Sequence, residues 1–155
     1  MAVVLRAGRA ARGIDTAEGT VRVVAAVHTG VEQTLIGIAR SLSILGSPED
    51  AAYGQLFLQQ TGDGVLSVGS RSEIGRGFRA VITAEPGRRA TEVRYAILRL
   101  PGDDTLHGGV LQFELHLIEA IRRLDANADV RLVGRALRDL ERSDRGPMLG
   151  EGGRT

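Results

Sequence analysis

The chain has 155 residues, a formal net charge of +1, no cysteine, and only arginine among its 20 basic residues. That excludes disulfides, thiol catalysis, a Schiff-base lysine and the lysine of a phosphate-binding loop. The charge balance implies no strong field for nucleic acid, and the length suits one domain with tails, whose core needs no disulfide or metal.

Residues Met1 to Gly19 open on a short apolar run, followed by Arg6, Arg9 and Arg12 among alanines and glycines. They read as an N-terminal arm, with a short docked strand as the alternative. Thr20 to His28 reads as a strand, with Val21, Val23, Ala25 and Val27 on one face and Arg22, Val24, Ala26 and His28 on the other.

Thr29 to Leu45 is expected to be helical. Thr29 and Glu32 have the spacing of a capping box, and Val31, Leu35, Ile38, Leu42 and Leu45 recur as one apolar stripe. Gly46 suits the position just past the helix end, and Pro48 blocks continuation. Gly37 sits mid-helix at a cost of about 1 kcal/mol against alanine, a position that either allows close packing or carries no meaning.

Gln55 to Leu100 reads as strands joined by tight turns. Leu56 and Leu58 alternate with Gln55, Phe57 and Gln59, and Thr61-Gly62-Asp63-Gly64 closes a hairpin. Val65 to Ser70 runs back. Phe78, Ala80, Ile82 and Ala84 share a face opposite Arg79, Thr83 and Glu85. Pro86-Gly87 is a turn dipeptide, and Ala90 to Leu100 places Val93, Tyr95 and Ile97 on one side. Such alternation predicts an antiparallel sheet with one side covered and one side wet.

Pro101 to Gly109 reads as a loop, and Val110 to Ala126 as a second helix with the stripe Val110, Phe113, Leu117, Ile121 and Leu124. Glu114, Glu119, Arg122 and Arg123 fall mostly outside that stripe. Asp129 has the character of a cap for a further amphipathic helix over residues 130–142, with Leu132, Val133, Ala136, Leu137 and Leu140 apolar. Residues 143–155 are glycine-rich and charged and read as a disordered tail.

The fold class that follows is α+β: a curved antiparallel sheet packed against a long C-terminal helix, in the order β-α-β-β-β-β-α over residues 20–129. The run Val65-Leu66-Ser67-Val68-Gly69-Ser70-Arg71, then Phe78 to Glu85, Pro86-Gly87, and Thr91-Glu92-Val93-Arg94-Tyr95 resembles the hairpins of the START-like (SRPBCC) superfamily. This superfamily of helix-grip proteins includes the polyketide cyclases and Bet v 1-like proteins. The resemblance implies a sheet wrapping the helix around a cavity for an apolar ligand.

Three histidines, His28, His107 and His116, lack neighbours at metal-ligand spacing and read as surface or structural residues. Gly62-Asp63-Gly64 and Gly75-Arg76-Gly77 do not lie between a strand and a helix as a phosphate cradle requires. Ser67-Val68-Gly69-Ser70 lacks the form of a nucleophile elbow. The acidic pairs Glu49-Asp50 and Asp103-Asp104 sit in loops, as caps and turn formers do. Arg71, Arg76, Arg79, Arg88, Arg89, Arg94 and Arg99 lie among Glu73, Glu85 and Glu92, which predicts cross-strand ion pairs. Phe57, Phe78, Phe113, Tyr53 and Tyr95 are too few, and too committed to the core, for base stacking.

No acid, base and orienting group can be assembled, so an enzyme ranks below two other readings. The first is a non-catalytic module for a hydrophobic small molecule, its pocket lined by Phe78, Ile82, Val93, Tyr95, Ile97, Phe113 and Leu117. The second is an assembly domain without ligand, forming a homo-oligomer or meeting a protein partner through a sheet edge or the 132–140 helix. No cofactor, metal or nucleic-acid partner is expected. No apolar run is long enough to span a bilayer and no signal-peptide pattern opens the chain, so the expected setting is a bacterial cytoplasm.

Overall fold

The structure, a computed structural model, describes residues 20–42, 49, 51–52, 54–70, 77–99 and 105–134. Eight elements follow in order: β1 (Thr20–Val27), α1 (Val31–Leu42), β2 (Leu56–Gly62), β3 (Val65–Ser70), β4 (Arg79–Pro86), β5 (Thr91–Arg99), α2 (Thr105–Leu124) and β6 (Asp129–Leu132). The strands form one sheet in the order β2-β3-β4-β5-β1-β6, and every adjacent pair is antiparallel. The fold is α+β, a curved six-stranded antiparallel sheet with two helices. Among the described residues no helix is long and apolar enough to cross a membrane.

One face of the sheet carries the core. Val23, Ala25 and Val27 of β1, Leu66 and Val68 of β3, and Ala80, Ile82 and Ala84 of β4 join Val93, Tyr95 and Ile97 of β5. Leu35 and Ile38 of α1 and Val110, Phe113, Leu117 and Ile121 of α2 close over them, each apolar stripe meeting the sheet as its periodicity requires. The helices also pack on each other, and Gly37 makes this possible. A β-carbon there would lie 2.7 Å from Leu124 Cδ1.

Several expectations are corrected. The sheet has six described strands, and α2 is not the last element, since β6 follows it. Asp129 to Leu132 forms that strand rather than opening a helix: Asp129 and Arg131 alternate with the half-buried Val130 and Leu132, and Val130 pairs with Ala25. Residues 135–142 of the expected helix lie outside the described residues, as do the arm 1–19 and the tail 143–155. Helix α2 begins at Thr105, within the stretch expected to be a loop. Gly108 and Gly109 fall within the helix, since a glycine costs a helix about 1 kcal/mol against alanine without forbidding it.

The capping box does not form. The Thr29 hydroxyl meets the Thr34 hydroxyl at 2.6 Å, while the Gly30 carbonyl accepts the first helical bond from Thr34 N–H at 2.8 Å. The helix therefore starts one residue later than the box requires.

The second face is not uniformly wet either. Val65, Val81, Thr83 and Ala96 point away from the helices yet are buried, Ala96 fully. Ala96 lies between Val21 and Val81 across its two ladders, where larger neighbours enclose its methyl group.

In register, Glu85 lies opposite Glu92 and Arg79 opposite Arg99, while Arg71, Glu73 and Arg76 of the expected cross-strand pairs lie outside the described residues. Arg94 instead pairs with Glu92 along its own strand at 2.5 Å.

Candidate functional site: a groove beside the first helix

Helix α1 presents Val31, Leu35 and Ala39 at four-residue intervals, with Glu32 and Ile36 one position on. This face is only partly covered by the sheet. Leu58 and Gln60 of β2, Leu66 of β3, the turn residues Asp63 and Gly64, and Pro86 at the end of β4 complete a groove of about 520 Å³. Leu35, Leu58 and Leu66 form its buried floor. Ile36 is 42% exposed and carries the groove's apolar surface out to solvent.

The β2–β3 turn sets the groove's shape. Gly64 has φ of 78°, a left-handed conformation costly for any residue with a β-carbon. Its carbonyl accepts the Ala84 N–H at 2.9 Å, and a β-carbon there would meet the Ala84 oxygen at 2.9 Å and Val31 Cγ1 at 3.9 Å. The hairpin tip is thereby drawn against both β4 and the start of α1. On the opposite face of the hairpin, the Phe57 ring lies over its partner Gly69, 2.9 Å from where a β-carbon would sit.

The seven residues expected to line a pocket form a group separate from this groove. Phe78, Ile82, Val93, Tyr95, Ile97, Phe113 and Leu117 all come together between the sheet and α2, none more than 6% exposed. They belong to the packed core, where the Tyr95 and Phe113 rings sit 5.7 Å apart at 43°, a tilted contact typical of aromatic pairs. None of them lines the groove beside α1.

A buried polar cluster adjoins that core. The β1–β5 register jumps between Val21–Ala96 and Val23–Tyr95, leaving Arg22 as the extra residue of a bulge. The bulge turns Arg22 toward α2 and puts Val21 on the outward face with Ala96. Arg22 Nη2 donates to Glu114 Oε1 at 2.9 Å, and Nε donates to Oε2, so the guanidinium grips the carboxylate with two bonds. Arg22 is 6% exposed and Glu114 1%. The nearby Tyr95 hydroxyl is buried and makes no hydrogen bond among the described residues. Burial, and then the Glu114 carboxylate, push its pKa well above the ordinary tyrosine value, with Arg22 partly opposing.

A second polar contact fastens the end of α2. His28 donates its backbone N–H to Asp125 Oδ2 at 2.9 Å, and its ring Nδ1 lies 2.7 Å from the same oxygen. Asn127 N–H donates to Asp125 Oδ1 at 2.9 Å. These bonds, the His28 backbone first, hold the Asp125 carboxyl below its usual pKa. His116 Nε2 lies 3.0 Å from Gln112 Nε2 on the exposed side of α2. Among the described residues no three His, Asp or Glu side chains gather where they could hold a metal.

Comparison with protein-family models, with curated proteins and with solved structures finds no match to this chain. Sequence reasoning missed the groove because Val31 and Leu35 belong to the same stripe as the core residue Ile38. Only the exposed Ile36, one position after Leu35, marks a second apolar face. It also missed Arg22 with Glu114. Strict alternation places Arg22 outward, and nothing in the sequence announces the bulge.

Proposed function

We propose that this protein is a non-catalytic binding module that holds a small apolar molecule in the groove between α1 and the β2–β3 hairpin. The observation that carries this reading is the groove. Its volume of about 520 Å³ and its mainly aliphatic lining with a few polar groups match the usual small-molecule pocket. In this reading the ligand space lies beside α1. This reading keeps the kinship with START-like helix-grip proteins as a proposal. It is supported by β1 returning to pair with β5 and by α2 packing on the sheet's inner face; β6 departs from that pattern. A cytoplasmic setting is part of the same proposal.

Native mass spectrometry of the purified protein tests the reading, together with displacement of an apolar fluorescent dye. A copurified small molecule or a saturable dye site is expected, and Ile36→Glu abolishes it while the circular dichroism spectrum stays unchanged. Absence of any such site, or binding indifferent to Ile36→Glu, overturns it.

A second reading, self-assembly through the edge of β2, rests on one observation. Gln55 to Gly62 contains no charged residue, whereas β6 guards its edge with Asp129 and Arg131. Sedimentation as a monomer at high concentration counts against it.

A further inference from the structure

We infer that the groove selects a protonated amine attached to an apolar tail. The inference rests on the groove being a small-molecule site and adds the charge of its occupant. Two carboxylates line the groove from different elements, Glu32 in the first turn of α1 and Asp63 in the β2–β3 turn. No arginine lines it, although arginine is abundant in the chain. Neither carboxylate makes an ion pair or a side-chain hydrogen bond among the described residues, so both remain available to a ligand.

The floor of Leu35, Leu58 and Leu66 excludes water once occupied, and removing water strengthens any charge contact beside it. An anionic occupant would meet two like charges, and a neutral one gains nothing from carboxylates that solvent already hydrates, since Glu32 and Asp63 are both exposed. A cation gains from both. The lining contains no aromatic side chain, so the π-faces that recognise quaternary ammonium groups are missing. Recognition then falls to N–H donation, which a protonated primary amine supplies and a quaternary ammonium does not. Gln60 offers its amide oxygen as a further acceptor in the same lining.

The test compares decylamine, decanol and decanoate by calorimetry below their aggregation limits, at neutral pH and low salt. Decylamine is expected to bind roughly five- to tenfold tighter than decanol, the scale of two partly exposed ion pairs, with decanoate weakest. The preference shrinks at high salt and vanishes in the Glu32→Gln/Asp63→Asn variant, which still binds decanol. Equal binding of amine and alcohol, both lost in Ile36→Glu, overturns the charge preference and leaves the groove reading standing. A preference that survives in the double variant also overturns it. If none of the three binds, both readings fall. They also fall if the protein sediments as a dimer that Ile36→Glu converts to monomer, since a second copy then fills the groove.

Discussion

Turning Arg22 inward commits β1 to Glu114, because two charges withdrawn from water need each other. Removing one partner leaves the other buried and uncompensated, at a cost of about 3–5 kcal/mol, whereas replacing both with apolar side chains of similar size is often neutral or better. Arg22→Met alone should therefore destabilise strongly in a denaturant titration, and the Arg22→Met/Glu114→Leu pair should recover most of that loss. Two additive single effects would contradict the account. Tyr95 gives a test of sign beside the same carboxylate. Its folded pKa is raised, so its contribution to stability is full below the unfolded tyrosine value near 10 and is lost as pH rises through the folded value. Alkaline unfolding should consequently begin at higher pH in Tyr95→Phe. Asp125 behaves oppositely. Its folded pKa is lowered, so its contribution is present above the ordinary carboxylate value of 3.8 and disappears as pH falls through the folded one. Asp125→Asn should flatten the acid limb of a stability–pH curve, and an unchanged limb would remove His28 and Asp125 as a stabilising pair.

The strands were legible because their side chains alternate and their turns carry glycine or proline, and β1, β3, β4 and β5 fall within a residue or two of where the pattern puts them. One strand was not. In β6 the alternation of Asp129 to Leu132 spans only four residues, and the helical spacing of Leu132, Val133, Ala136 and Leu137 overlaps and outweighs it. Arg22 was placed outward because a bulge is a property of two paired strands, and one strand's sequence does not contain its partner's register. The groove was hidden for the same reason, being formed by elements that are distant in the chain. At the hairpin, Gly64→Ala should cost about 1–2 kcal/mol, the penalty of a left-handed residue with a β-carbon. Thermal melts would read this loss, and a neutral result would show that the turn relaxes.

For the molecule as a whole, the sheet order makes β4 and β5 interior and leaves β2 and β6 at the described margins. Amides of β5, held by β4 and β1 and lying beneath α2, should exchange with solvent slowest, and those of β6 soonest after the loops. Equal protection of β6 and β5 in a mass-spectrometric exchange experiment would contradict this ordering. The groove lies toward the β2 margin, away from the Arg22–Glu114 contact, so occupancy and core stability should be separable by mutation.

β1 is hydrogen-bonded between β5 and β6, both of which follow it in the chain. During translation Thr20–Val27 leaves the ribosome first, then waits for Thr91–Arg99, a delay on the order of seconds at ordinary synthesis rates. Until then an apolar ribbon has no neighbour on either edge. The nascent chain should be a client of ribosome-associated holdases, and ribosome–nascent-chain complexes from cells lacking them should pellet with this polypeptide aggregated; nascent chains that stay in the supernatant would contradict this.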